Sequence, residues 1–208
     1  MERGVSRELP EQGGKGRVTE EHWLFAYGSL MWSPGFSPVE AVPARLAGYH
    51  RAFCILSWHH RGTREAPGLV LGLDRGGACR GLAYRLAPET LAETLAYLRA
   101  RELVTDVYRE ARVPIELESP GGGAGRRVLA LAYVVDRHHP QYAGRLPLPQ
   151  QARLIADGVG ASGANLDYMR LTLDHLEAAG DLSAELRALR VAVEALIEGG
   201  PPPQPQRE

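Results

Sequence analysis

The chain is poor in cysteine and has no long apolar run. Cys54 and Cys79 are its only cysteines, too few for a disulfide framework, and both lie in strand-like runs, as buried thiols in a reducing compartment do. No segment approaches the roughly 20 apolar residues that span a bilayer. Residues 1–20 also lack the apolar core of a signal peptide. We therefore expect a cytoplasmic protein without a membrane-spanning segment.

The chain also has almost no lysine and a net charge close to zero. Lys15 is the only lysine, and the formal net charge is −1 at pH 7, with both signs mixed along the chain. A nucleic-acid surface or a polybasic membrane surface needs an excess of positive charge, so we expect neither partner. We interpret the many arginines as compositional bias rather than as a phosphate-binding patch. The sequence leaves the oligomeric state open.

The length and the two ends of the chain define its expected domain organisation. A chain of 208 residues suits one domain with a sizeable core. Residues 1–20 are rich in glycine and charge, which predicts a disordered extension. Residues 199–208 are rich in proline and have no core to join, which predicts a disordered tail. We therefore expect the folded domain to occupy residues 21–198.

Apolar runs bounded by breaker residues predict about six strands. The first strand opens at Trp23, and the others are expected at residues 44–56, 68–74, 78–86, 111–118 and 127–135. Arg75, Gly76 and Gly77 separate two of these runs and predict a hairpin turn. Three glycines at residues 121–123 predict a mobile loop between the last two strands.

Four helices are expected as well. Pro88 is placed to open a central helix. Three later helices are expected at about residues 150–159, after Ser162 as the N-cap, and after Ser183. Together the elements predict an α+β domain with a mixed, barrel-like sheet and flanking helices.

The segment at residues 23–32 is the first candidate for a functional site. It begins as an apolar, aromatic run and breaks abruptly at Gly28 and Ser29, which is typical of a buried strand that enters a tight turn. Gly28 lets bare backbone approach a ligand, and successive N–H groups in such a turn can bind a carboxylate or an oxyanion. The alternative is an ordinary core strand that ends in an ordinary turn.

Glu102 is the second candidate. Leu91, Leu95 and Leu98 share one stripe of the central helix, and at roughly 100° per residue Glu102 falls within about 20° of Leu91. A carboxylate on an apolar stripe at a helix C-terminus should have a raised pKa, which suits a base that acts near neutral pH. The alternative is a helix that ends at Arg101, with Glu102 solvated or paired with an arginine.

Three other classes of function find less support. The histidine pairs at residues 59–60 and 138–139 point to opposite faces of an extended segment, so neither pair chelates one metal ion naturally. Ser29 lacks the surroundings of a nucleophile elbow, and no triad can be assigned to Cys54 or Cys79. The third class is a non-enzymatic binding protein, which would retain a ligand without converting it to a product.

An ordered series of motifs resembles the ChaC-type γ-glutamylcyclotransferases and extends from Trp23 to about Leu176. One departure is residues 103–107, which read L-V-T-D-V where some members have a short Gly-rich turn. The matching motifs are F-A-Y-G-S-L-M-W at 25–32, H-R-G at 60–62 with P-G at 67–68, G-L-A-Y-R-L at 81–86, R-E at 101–102, H-P-Q-Y at 139–142 and S-G-A-N-L-D-Y at 162–168.

The resemblance implies a fold, a reaction and a set of site residues. Members cleave a γ-glutamyl amide, typically glutathione, into 5-oxoproline and cysteinylglycine, and they need no metal or cofactor. By this likeness Glu102 is the catalytic base and then acid. Arg61 and Tyr168 are further candidate substrate contacts; the alternative is a surface ion pair for Arg61 and a core aromatic for Tyr168. Other γ-glutamyl amino acids or amines are the nearest alternative substrates. The residues implied to hold the glutamyl moiety are Ala26, Tyr27, Gly28, Ser29, Leu30 and Met31.

Overall fold

The computed structural model describes residues 21–119 and 125–199. The expectations for residues 1–20, 121–123 and 200–208 therefore lie outside the described residues and stay predictions. Four α-helices are described: α1 at Leu91–Glu102, α2 at Leu148–Asp157, α3 at Asn165–Ala178 and α4 at Ala184–Ile197. The strands are β1 at His22–Ala26, β2 at Glu40–Ser57, β3 at Gly68–Leu86, β4 at Tyr108–Leu117, β5 at Arg126–Val135, β6 at Val159–Gly160 and β7 at Gly163–Ala164.

Five strands close into a barrel in the order β1, β3, β2, β4, β5. All neighbours pair antiparallel except β1 and β5, which pair parallel and close the barrel. Closure leaves this sheet without an unpaired edge. Strands β6 and β7 form a separate two-stranded hairpin. The predicted α+β class and barrel-like mixed sheet are confirmed.

Strand β1 is buried on both faces, which explains its unbroken apolar sequence. Trp23 and Phe25 belong to the main core, together with side chains from the other barrel strands and from helices α2 to α4. Leu24 and Ala26 face the opposite way, into a second cluster that includes Leu98 of α1. The strand is therefore fixed from both sides just before the chain enters the Gly28 turn.

The hairpin predicted at residues 75–77 is wrong. The strands expected at 68–74 and 78–86 are one continuous strand, β3, which pairs with β2 along its length and bends with it. Gly76 and Gly77 have φ of +107° and +65°, opposite Gly48 with φ of +84°. Glycines with positive φ can form a bulge as readily as a turn. Here they form an irregularity in the ladder, so the barrel has five strands.

The starts of the helices differ from expectation in two places. Pro88 opens a single 3₁₀ turn, Pro88–Thr90, and α1 begins only at Leu91. The N-cap of α3 is Ala164, so the prediction that Ser162 caps this helix is wrong. The Oγ of Ser162 instead lies 2.9 Å from His60 Nδ1. The helix expected after Ser183 is confirmed, and Ser183 is its N-cap, accepting a hydrogen bond from the Leu186 amide.

Within the part of the chain that the structure describes, no helix is both long enough and apolar enough to cross a bilayer.

The two serines offer a matched test of the helix starts. We expect Ser183→Ala to lower the free energy of unfolding by about 1 kcal/mol, because the Leu186 amide loses its cap. Ser162→Ala should change it by less than about 0.5 kcal/mol, since Ser162 caps no helix and its hydroxyl is exposed. Urea unfolding of both variants measures the difference, and an equal or larger loss for Ser162→Ala would contradict this account.

Candidate active site

A small cavity lies where β1 leaves the barrel, and it joins the two regions that the sequence singles out. Its volume is about 60 Å³. Sites that enclose a whole drug-sized ligand measure about 300–1,000 Å³, so this cavity can enclose only one end of a larger molecule. The lining residues are Tyr27, Gly28, Ser29, Leu30, Leu71, Glu102, Tyr108, Tyr133 and Tyr168.

The turn after β1 forms one wall of the cavity. Gly28 precedes a single 3₁₀ turn, Ser29–Met31, which is closed by a hydrogen bond from the Met31 amide to the Gly28 carbonyl. The amides of Ser29 and Leu30 come before this first hydrogen bond, so they have no partner within the turn. Two backbone donors therefore lie in a wall that also carries the hydroxyl of Ser29.

A buried arginine holds this turn from inside the barrel. The side chain of Arg51, on β2, is only 6% exposed. Its Nε donates to the Tyr27 carbonyl at 2.5 Å, and its Nη2 lies 3.3 Å from Met31 Sδ. Because a guanidinium is planar and rigid, these contacts fix both ends of the turn relative to β2. The sequence analysis missed Arg51, which lies 24 positions from Tyr27 and carries no local signal.

Glu102 is the last residue of α1 and lines the same cavity. The carboxylate is 17% exposed and lies 3.2 Å from the Nε of Arg101. Burial raises the pKa of Glu102, and the charge of Arg101 opposes that rise in part. The helix therefore reaches Glu102, as the leucine stripe predicts. The carboxylate is also paired with an arginine, which was part of the alternative interpretation of Glu102.

Four tyrosines complete the lining, and their hydroxyls differ in what they bind. Tyr108 donates to the Leu71 carbonyl at 2.7 Å, and Tyr168 accepts from the Leu71 amide at 3.3 Å. Tyr133 donates to Glu110 Oε1 at 3.3 Å. The Tyr27 hydroxyl makes no hydrogen bond to any described residue, although the residue is only 8% exposed.

The tyrosines do not compete with Glu102 as bases. Burial raises the pKa of all four phenols, and the charge of Glu102 adds to the rise for Tyr27. They stay protonated at neutral pH and act as hydrogen-bond donors. Among the described residues that line the cavity, Glu102 is the only carboxylic acid.

Asn165 places Tyr168 at the cavity. Its side chain is fully buried, accepts a hydrogen bond from the Leu69 amide at 2.6 Å and donates one to the Leu69 carbonyl at 2.9 Å. These bonds tie the first residue of α3 to β3, three residues before Tyr168. Sequence analysis quoted Asn165 only as part of the motif at 162–168, which was the available signal.

Three predicted substrate residues lie outside the cavity lining. Ala26 is fully buried at the end of β1, and Met31 contacts Arg51 on the far side of the turn. Arg61 donates from Nη1 to the Ser162 carbonyl at 2.5 Å, and its guanidinium lies 5.3 Å from the Tyr168 ring centre. Arg61 is therefore next to the cavity, beyond Tyr168.

The residues considered for other chemistry are placed elsewhere. Across residues 21–119 and 125–199, no three His, Cys, Asp or Glu side chains are grouped as metal ligands. Cys54 and Cys79 are free and buried, and burial raises their thiol pKa to about 12 and about 11. A buried thiol with so high a pKa is a poor nucleophile.

Comparison with known proteins supports the resemblance. Residues 22–196 match the model of a family described as ChaC-like protein. The chain is 37% identical over 175 residues to a glutathione-specific gamma-glutamylcyclotransferase of Escherichia coli K12, covering 84% of this chain and 74% of the relative. It is 34% identical over 177 residues to human glutathione-specific gamma-glutamylcyclotransferase 1, covering 84% of this chain and 77% of the relative.

The fold is also found among solved structures. A crystal structure of a gamma-glutamylcyclotransferase specific to glutathione from yeast superposes with a TM-score of 0.73 at 23% identity, covering 88% of this chain and 98% of the yeast chain. The γ-glutamylcyclotransferase-like fold expected from the motifs is confirmed. The chain therefore belongs to the ChaC-like family.

Proposed function

We propose that this chain is a γ-glutamylcyclotransferase that converts glutathione into 5-oxoproline and cysteinylglycine. The observation that carries the proposal is the position of Glu102, a single carboxylate shielded from water across a small cavity from the Gly28–Ser29 turn. The names and identities of the relatives support the choice of reaction and of substrate.

The reaction needs folding of the substrate and management of two protons. The α-amine of the glutamyl group attacks its own γ-carbonyl carbon, forming one C–N bond, and the original γ-amide C–N bond then breaks. Glu102 accepts a proton from the α-ammonium group and later delivers a proton to the departing nitrogen. General acid–base catalysis of this kind contributes about 10²–10⁴ in rate, and orientation of the intramolecular attack offsets on the order of 7–11 kcal/mol of barrier.

The turn would hold the glutamyl end of the substrate. The amides of Ser29 and Leu30, which have no hydrogen-bond partner among the described residues, suit the α-carboxylate or the oxyanion that develops on the γ-carbonyl. The Tyr27 hydroxyl, which has no hydrogen-bond partner among the described residues, is a further donor in the cavity lining. Ala26 and Met31, predicted as substrate-binding residues, flank this turn outside the cavity lining, and a contact with the substrate there stays a prediction.

The rest of the substrate would extend past Tyr168 toward Arg61. The Nη1 of Arg61 is bound to backbone carbonyls, whereas its Nε and Nη2 make no hydrogen bond to a described residue. A guanidinium with two free donors can bind the glycyl carboxylate of glutathione. A γ-glutamyl amino acid or amine would use the same cavity and differ only in this outer contact.

We also propose that the enzyme acts in the cytoplasm. Both cysteines are free and buried, which is compatible with a reducing compartment.

The catalytic assignment has a direct test in Glu102→Gln. We expect the rate of 5-oxoproline formation from glutathione to fall by about 10²–10⁴-fold, because the base and acid are lost together. Glutathione binding, measured by calorimetry, should persist. Glu93→Gln, on the exposed face of the same helix, is the matched control and should keep wild-type turnover. Near wild-type turnover in Glu102→Gln would remove Glu102 from the mechanism.

The raised pKa of Glu102 predicts a pH-dependent difference in stability. The folded state binds this proton more tightly than the unfolded chain, whose glutamate pKa is about 4.3. The wild type therefore loses stability as the pH rises from below about 4.3 to above the folded pKa. The advantage of Glu102→Gln in unfolding free energy should be larger at pH 7 than at pH 4. An advantage for Glu102→Gln that stays constant or shrinks toward pH 7 would contradict a shielded carboxylate.

The substrate assignment is tested by comparing glutathione with γ-glutamylalanine. Loss of one charge-assisted hydrogen bond costs about 1.5–3 kcal/mol, so kcat/KM for glutathione should exceed that for γ-glutamylalanine by at least about tenfold. Arg61→Met should reduce this preference and leave the γ-glutamylalanine rate nearly unchanged. Equal rates for both substrates would favour a cyclotransferase with broader specificity.

A further inference from the structure

Arg101 contacts both walls of the cavity although it is not one of the lining residues. All three nitrogens of its guanidinium have partners: Nη1 donates to the Ser33 carbonyl at 2.7 Å and to the Tyr97 hydroxyl at 3.0 Å, and Nη2 donates to Ser29 Oγ at 2.9 Å. Nε lies 3.2 Å from Glu102 Oε1. One planar group therefore connects the turn at Ser29 and Ser33 with the carboxylate at the end of α1.

The geometry of Arg99 shows that such contacts are not a general feature of this helix. Arg99 lies two residues earlier, its side chain is 54% exposed, and it forms a bidentate pair with Glu110 on the outside of the barrel. It touches neither the turn nor Glu102. The side chain of Arg101 is 25% exposed and turned inward. The two arginines share a helix, a charge and a glutamate as partner. They differ in their other contacts, because only Arg101 also binds the turn after β1.

We propose that Arg101 is a positioning residue, which rests on the proposed function: it fixes the distance between the substrate turn and Glu102. It has a second task as well, which is to favour the ionised form of the carboxylate. The guanidinium fork does the first task, because its donors have fixed mutual angles. The positive charge does the second, because it favours the ionised form of a carboxylate that burial disfavours. The ammonium group of a lysine at the same place could supply the positive charge but not the fixed set of hydrogen-bond donors.

The two tasks separate in two variants. Arg101→Met loses both, so we expect KM for glutathione to rise about tenfold, equivalent to one lost charge-assisted hydrogen bond. The acidic limb of the kcat/KM profile should also move to higher pH, by a modest amount because Arg101 is partly exposed. Arg101→Lys should show the KM rise with an acidic limb close to that of the wild type. Arg99→Met is the matched control and should change neither.

A double-mutant cycle tests the link to the turn. If Arg101 acts through Ser29, then Ser29→Ala should raise KM in the wild type and have much less effect in Arg101→Lys, with a coupling of at least about fivefold. The proposal is overturned if the two effects multiply, or if the acidic limb of Arg101→Met coincides with that of the wild type. Should Arg101→Met fail to fold, the cycle with Arg101→Lys decides the matter in folded protein.

One readout keeps this proposal separate from the proposed function. The titration of Glu102 can be followed without turnover, from the pH dependence of unfolding in Arg101→Met compared with Arg101→Met/Glu102→Gln. We expect the carboxylate in Arg101→Met to titrate at higher pH than in the wild type, whatever substrate the enzyme uses. An unchanged titration refutes the coupling even if glutathione is turned over, and absence of turnover in the wild type refutes the function alone.

Discussion

One carboxylate kept from bulk water, in the same small cavity as the turn after β1, is the constraint on which the rest of the site depends. Burial of Glu102 raises its pKa toward the range useful for a base, and Arg101 limits that rise. The α1 leucines create the burial, since the stripe that packs against β1 brings Glu102 to the cavity. The same packing that stabilises the helix thus sets the protonation chemistry of its last residue.

Closure of the barrel fixes the position of the turn that follows β1. β1 lies between β3 and β5, with both faces buried, so the turn that follows has little freedom to shift. Gly81 of β3 approaches the end of β1 so closely that a Cβ there would lie 2.3 Å from the Ala26 carbonyl oxygen. A side chain at this position would displace the strand end. The glycine of the motif at 81–86 is therefore explained by the approach of β3 to the substrate turn.

Local periodicity predicted more of this site than of the surrounding fold. The spacing of Leu91, Leu95 and Leu98 placed Glu102 correctly because helical geometry is regular over three turns. The hairpin turn predicted at Gly76 and Gly77 was wrong because glycines with positive φ occur in bulges as well as in hairpin turns. Arg51 carries no local signal, since its partner lies 24 positions away and is brought near only by the fold. Asn165 was marked only by the motif at 162–168, since its partner lies 96 positions away.

A single acid is sufficient for this reaction because of where its two nitrogens lie. In the tetrahedral intermediate, the attacking α-nitrogen and the departing amide nitrogen are bonded to the same carbon, so they are close neighbours. A carboxylate has two oxygens, and one that faces this carbon can take a proton from one nitrogen and return it to the other without a second residue. The four phenols around Glu102 cannot share that task, because burial keeps them protonated. Their contribution is to shield the carboxylate and to donate hydrogen bonds, which makes the position of Glu102 relative to the turn the decisive variable.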